Sequence, residues 1–341
     1  MEVNNRPVVG ISCGDLNGIG TEVILKSFED SRILEFFTPL IFSNLEFLVS
    51  QAKNYKLNLT FNKINLNQRP TAGKINVIDV WNETFKLEFG KSTKESGNLS
   101  FLSLEAVVKA INDNVADIMV TAPINKENIQ NEKFDFPGHT DYLSKQFKGE
   151  SLMFMVSEEL KLGLLTDHIP LKDIVSKINF NVIQNKIKLI ENSLKIDFGI
   201  NKPKIAVLSI NPHVGDGGVI GNEDDTLLIP ALLEASKLGS LISGPFPSDS
   251  FFGSGAYKKY DAVLAIYHDQ GLVPFKTLSF GEGVNYTAGL NIVRTSPDHG
   301  TGYDIAGKNK ANPASFKKAL FLGIEIFKTR KNYQKLLKPQ L

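Results

Sequence analysis

Asp261-Ala262-Val263-Leu264-Ala265-Ile266-Tyr267 is an apolar run that stops abruptly at His268-Asp269-Gln270-Gly271. Such a run predicts a buried strand, and α/β proteins place their chemistry where a buried strand ends in polar residues and glycine. The stretch continues through Lys276 and Asn285 to Arg294, so a metal-capable histidine is followed by two cations and a side-chain amide. Taken alone, a strand, a turn and a solvated loop would account for it. The rest of the chain weakens that reading.

The same device recurs along the chain. Pro7 to Cys13 reads as a first strand, followed by Gly14-Asp15-Leu16-Asn17-Gly18-Ile19-Gly20 and a helix from about Thr21. The glycine spacing is not that of a dinucleotide fingerprint. On spacing alone, an anion loop and a plain tight turn are both open, with Asp15 at the strand's carboxyl end. Strands are also predicted at Thr38 to Phe42, Lys74 to Val80, Asp117 to Thr121, Leu152 to Val156, Leu162 to Thr166 and Lys204 to Ile210. Helices are predicted between them, including Leu99 to Asn114 with Leu102, Ala106, Val107, Ala110 and Ile111 on one face. His139 or Thr140 could cap the helix running to Phe147. This alternation implies an α/β fold of mostly parallel sheets covered by helices.

Composition narrows the function classes. The chain has 341 residues, 42% hydrophobic and 22% charged, with a net charge of +1, which suits a globular α/β protein without a nucleic-acid partner. The single cysteine, Cys13, excludes an intrachain disulfide and any multi-cysteine zinc site, and is expected to be a buried, inert thiol. No signal region is apparent and no apolar run reaches about 18 residues, so a cytoplasmic protein without membrane partners is expected. No repeat or low-complexity linker appears.

There are five histidines: His139, His168, His213, His268 and His299. His168, His213 and His268 each follow an apolar strand directly or within two residues. Neutral imidazole is the commonest ligand for a divalent transition metal, and three with an open position can form a catalytic site. Their separations are long and no compact metal motif is present, so structural roles for them stay open on spacing alone.

Together the motifs resemble the 4-hydroxythreonine-4-phosphate dehydrogenase family of pyridoxal phosphate (vitamin B6) biosynthesis. The matching segments include Thr121-Ala122-Pro123-Ile124-Asn125-Lys126, Pro137-Gly138-His139-Thr140, Asp167-His168-Ile169-Pro170, Asn211-Pro212-His213, Gly244-Pro245-Phe246-Pro247-Ser248-Asp249, Tyr267-His268-Asp269-Gln270-Gly271 and Arg294-Thr295-Ser296, and they span nearly the whole chain in order. The resemblance implies an isocitrate/isopropylmalate dehydrogenase-like fold of two subdomains with a cleft. Residues 1–125 with 295–341 would form the first, and 126–294 the second, carrying most metal and substrate residues. It implies NAD (or NADP), one divalent metal (zinc, magnesium or cobalt), and His168, His213 and His268 as its ligands. His139, Thr140, Lys276, Asn285 and Arg294 would bind a small phosphorylated substrate, with Asp249 and Asp269 also at the site. It further implies a homodimer with the active site at the interface, His168 from one chain and His213 and His268 from the other. The general base and the dinucleotide contacts stay unassigned. This chain departs from many members at Leu16-Asn17 and at Val273-Pro274-Phe275 before Lys276. Oxidation of a phosphorylated four-carbon sugar acid, of threonate or erythronate type, is the alternative within the enzyme class. A three-histidine phosphohydrolase and a phosphate-ligand binding protein are the others.

Overall fold

A computed structural model describes residues 6–337 of the chain. The strands are β1 (Val8–Ser12), β2 (Thr38–Ser43), β3 (Phe61–Lys63), β4 (Ile75–Asp79), β5 (Ile118–Thr121) and β6 (Gly149–Val156). They continue with β7 (Lys161–Leu164), β8 (Lys204–Leu208), β9 (Leu241–Phe246), β10 (Ala262–Ala265), β11 (Val284–Leu290) and β12 (Arg294–Pro297). The helices are α1 (Gly20–Ser27), α2 (Leu45–Asn54), α3 (Lys94–Asn112), α4 (His139–Gln146), α5 (Ile174–Lys177) and α6 (Phe180–Ile196). After them come α7 (Ile229–Lys237), α8 (Ser248–Gly253), α9 (His268–Leu278) and α10 (Ala314–Leu337). No helix among the described residues is long and apolar enough to cross a membrane.

The chain divides into two compact units, 1–149 with 290–327 and 150–289 with 328–341. The division expected from sequence had its edges near 125 and 294. Segment 126–149 groups with the first unit because α4 is rooted there: Tyr142, Leu143 and Phe147 share a core with Phe101, Leu104 and Phe134. The Tyr142 ring lies 5.1 Å from that of Phe134. Residues 328–337 group with the second unit. There Arg330 Nε donates to Asp197 Oδ1 at 2.5 Å and Tyr286 Oη to Asp197 Oδ2 at 2.6 Å, in a buried cluster joined by Ser193.

In the first unit the strand order is β3-β4-β2-β1-β5-β12, with parallel pairing throughout. Helices cover parallel strands on both faces, which is why β1, β2 and β5 are continuous apolar runs. Helix α3 packs on these strands through Leu104, Val107, Val108 and Ile111, while Leu102, expected on the buried face, is 38% exposed. At about 100° per residue, position 102 points roughly opposite to 104. Cys13 is buried, and burial pushes its thiol up to about 11, as suits an inert core residue.

In the second unit the order is β11-β6-β7-β10-β8-β9. β6 and β7 are antiparallel, whereas β7, β10, β8 and β9 run parallel. The residues after His268 form a helix, α9, instead of a solvated loop. Its Gly271 lies so close to the sheet that a Cβ there would sit 2.6 Å from Leu162 and 2.9 Å from Ala265. Leu272 and Phe275 on α9 then enter the core with Leu164, Leu208 and Val263. Close packing at Gly271 holds the first turn of α9, and so His268, against the ends of β7 and β10.

Candidate active site

In the first unit, Arg294 opens β12 and pairs with Met119 of β5. Only 2% of this arginine is exposed. Its Nε and Nη2 both donate to Thr121 Oγ1, the last residue of β5, at 3.1 and 2.5 Å. Burial lowers the guanidinium to about 9, so it is still a cation at neutral pH. Helix α4 begins at His139 beside it. Its N-cap is Gly138, which has no side chain to bond the first-turn N–H groups. Neither His139 nor Thr140 caps the helix, because both lie inside its first turn. His139 Nε2 is buried with no hydrogen-bond partner among the described residues. Burial first, then the positive charges of Arg294 and Lys126, hold His139 well below the usual imidazole range. It is therefore a neutral ring among cations at neutral pH.

The glycine loop after β1 proves to be a tight turn. Asp15 N–H donates to the Pro123 carbonyl, Gly18 N–H to that of Asp15 and Ile19 N–H to that of Thr301. Asp15 is fully buried and accepts from Ser96 Oγ, Asn17 N–H, Asn128 Nδ2 and Tyr303 Oη at 2.7 to 2.9 Å. A carboxylate with four donors is spent on organising the loops at the ends of β1 and β5.

In the second unit, the histidine-bearing segments follow β7, β10 and β8, which are neighbours in that order. The backbone ends are tied together. Thr166 donates through both its N–H and its Oγ1 to the Ile266 carbonyl. Gln270 accepts from Ile266 N–H at 2.6 Å and donates to the Ser209 carbonyl at 2.7 Å, bridging the ends of β10 and β8. The His168 and His268 rings consequently lie 5.6 Å apart, centroid to centroid, within one chain. His268 Nδ1 also meets Asp269 Oδ1 at 2.7 Å.

His213 stands in the loop after β8. Asp224 anchors that loop by accepting from Ile210 and Asn211 N–H groups, both at 2.8 Å. Residues 213–217 all have left-handed backbone angles, with φ of 52° at His213 and 59° at Val214. A β-branched residue there is strained. Among the described residues no group of three or more His, Cys, Asp or Glu side chains is gathered to hold a metal. The donor set fits a divalent ion in part: two imidazoles are adjacent, and the third follows the next strand.

Asp249 and Asp269 line one open groove of about 510 Å³, walled mainly by Phe252, Tyr267, Val273 and Leu278. Lys276 lies exposed in the last turn of α9. Asn285 is half-buried on β11, and its Oδ1 has no partner among the described residues. The expected substrate residues thus fall into two sets: His139, Thr140 and Arg294 in the first unit, and Asp249, Asp269, Lys276 and Asn285 in the second. Sequence reasoning did not single out Thr121, Gln270 or Asp224. Thr121 and Gln270 lie inside quoted motifs, but their partners are about 170 and 60 residues away, and no local pattern reveals such pairing.

Several known proteins are similar to this chain. The family described as pyridoxal phosphate biosynthetic protein PdxA matches residues 35–323. A 4-hydroxythreonine-4-phosphate dehydrogenase from Bacteroides thetaiotaomicron is 42% identical over 328 residues, covering 96% of this chain and 90% of the relative. A protein of Oceanobacillus iheyensis, provisionally named a D-threonate 4-phosphate dehydrogenase, is 35% identical over 96% of this chain and all of the relative. The crystal structure of a 4-hydroxythreonine-4-phosphate dehydrogenase from Klebsiella pneumoniae superposes with a TM-score of 0.80 at 29% identity, covering 96% of this chain and 99% of that one. An isocitrate dehydrogenase from Methylococcus capsulatus, 9% identical over 97% of this chain and 88% of that one, shares the fold with a TM-score of 0.51. With a family match across most of its length and relatives at this identity, the chain belongs to the PdxA family of pyridoxal phosphate biosynthetic proteins and is an oxidoreductase.

Proposed function

We propose that the chain oxidises the secondary alcohol of 4-phosphooxy-L-threonine with NAD (or NADP) as hydride acceptor, and that the product loses carbon dioxide to give 3-amino-2-oxopropyl phosphate. The observation that carries this reading is the trio of histidines after three neighbouring parallel strands, two of them ring to ring, in a chain whose relatives are named for this substrate. In the oxidation the carbinol C–H bond breaks, hydride passes to the nicotinamide and the hydroxyl proton goes to a base. In the second step the bond to the carboxylate breaks, carbon dioxide leaves and the α-carbon takes a proton. A divalent ion (zinc, magnesium or cobalt) held by His168, His268 and His213 would supply Lewis acidity to the oxygen of the reacting carbon.

The chain's own residues bind and orient the substrate. Arg294 offers a rigid, desolvated guanidinium to the phosphate, and His139, Thr140, Lys276 and Asn285 add further contacts. Asp249 and Asp269 line the groove beside His268. A homodimer with the active site at its interface belongs to the same reading. Leu171, Val219, Val273 and Phe280, each more than 60% exposed, lie in or beside the loops and helix that carry the histidines, and apolar exposure of this kind suits a contact surface. A cytoplasmic location fits a small-molecule biosynthetic enzyme.

Similarity to the Oceanobacillus iheyensis protein favours a second reading, oxidation of a phosphorylated four-carbon sugar acid. Purified protein with NAD, a divalent metal and each candidate substrate separates the two. NADH formation and carbon dioxide release with 4-phosphooxy-threonine, at far higher kcat/KM than with phosphothreonate, is the expected result. The reverse preference would overturn the first reading, and phosphate release without NADH would overturn both.

A further inference from the structure

The chain carries a cation beside Arg294 and His139 that the functional reading has not used. Lys126 ends the Thr121-Ala122-Pro123-Ile124-Asn125-Lys126 motif, on the loop leaving β5. Its backbone is fixed. Asn125 Oδ1 accepts from the N–H groups of Glu127 and Asn128 at 2.9 and 3.0 Å. Gln130 Nε2 donates both to the Lys126 carbonyl at 2.8 Å and to the Phe136 carbonyl at 2.9 Å. That single amide stitches the Lys126 loop to the segment entering α4. Asn128, two residues on, is held by the buried Asp15.

The side chain of Lys126 then runs along the N-terminus of α4. A Cβ placed on Gly138, the residue before His139, would lie 3.7 Å from Lys126 Cε. Lys126 is exposed and has no carboxylate partner among the described residues. Arg294, buried and cationic, acts electrostatically on the same His139 ring, which stays neutral beside the two charges. An uncapped helix N-terminus completes the surroundings, and it too favours an anion. Two cations, a neutral ring with a buried unpartnered nitrogen and a helix N-terminus make an anion pocket. Bringing an anion to it relieves like-charge repulsion that the free protein has to bear.

We propose that Lys126 is a phosphate-binding residue of the substrate site, acting with Arg294 and His139 on the substrate's phosphate. The proposal rests on the reading of Arg294 as a phosphate ligand and extends it to a residue with no assigned role. Lys126 reaches the phosphate as a flexible point charge, whereas Arg294 offers a fixed fork.

Calorimetric titration with inorganic phosphate, run on wild type, Lys126→Met, Lys126→Arg and Arg294→Met, tests this. KM values for 4-phosphooxy-threonine, unphosphorylated 4-hydroxythreonine and NAD complete the measurement. Lys126→Met should weaken phosphate binding and raise KM for the phosphorylated substrate roughly tenfold or more. It should leave the KM values for NAD and for 4-hydroxythreonine unchanged, and Lys126→Arg should recover most of the loss. Should the methionine variant fail to fold, Lys126→Gln serves in its place. If Arg294→Met loses phosphate affinity while Lys126→Met keeps it, the proposal falls and the Arg294 reading stands. If neither variant changes, both fall. Equal losses on the phosphorylated and unphosphorylated substrates would assign Lys126 to another group of the substrate and overturn the phosphate role.

Discussion

Replacing Thr121 by valine tests how Arg294 is held. The two side chains have nearly the same shape, so the change removes the hydroxyl and little else. In the structure that hydroxyl accepts from both Nε and Nη2 of a guanidinium that is only 2% exposed, and Thr121 itself is fully buried. A hydrogen bond to a charged group contributes about 1.5–3 kcal/mol, and leaving its buried donor unsatisfied costs more than removing an exposed one. One oxygen serving two donors should therefore contribute about 2–4 kcal/mol to folding stability. Thr121→Ser keeps the oxygen and loses one methyl group, which costs about 1 kcal/mol. Urea unfolding of the three proteins should rank them wild type, serine, valine, with the larger step at valine. The loosened guanidinium should also raise KM for the phosphorylated substrate several-fold in Thr121→Val, with a smaller effect on kcat and none on KM for NAD. A valine variant as stable as the serine variant, with unchanged KM, would refute the claim that Thr121 positions Arg294.

Two further outcomes follow from the geometry. His139 has its folded pKa depressed by burial, Arg294 and Lys126, so between that value and the ordinary imidazole value of 6.5 the unfolded chain binds more protons than the folded one. Stability should thus fall as pH drops below about 6.5, by at most about 1.4 kcal/mol per pH unit for one proton. His139→Gln should lack this component, and identical pH slopes for the two proteins would refute it. His168→Ala and His268→Ala should each lose bound metal on elemental analysis. Full metal content in either variant would refute the ligand assignment.

Much of this protein is legible along the chain. Apolar runs and their polar stops located β1, β5, β7, β8 and β10 to within a few residues, because burial on both faces of a parallel sheet leaves a continuous hydrophobic signature. Resemblance in the ordered motifs named the family and the candidate residues. The strand order lay outside that reading, since periodicity is a local property and strand neighbours are chosen by the packing of the whole chain. Only the tertiary structure brings β10 between β7 and β8, which sets His268 against His168 and lets Gln270 bridge two strand ends. Only there does Asp15, a plausible site residue by position, prove to be consumed by four donors, while Thr121 meets Arg294 across 173 residues of sequence. Local pattern along the chain reveals which segments are buried strands and which residue types stand at their ends. The packing decided which of those ends meet, because desolvating Arg294 and His139 together depends on neighbours that no stretch of sequence contains.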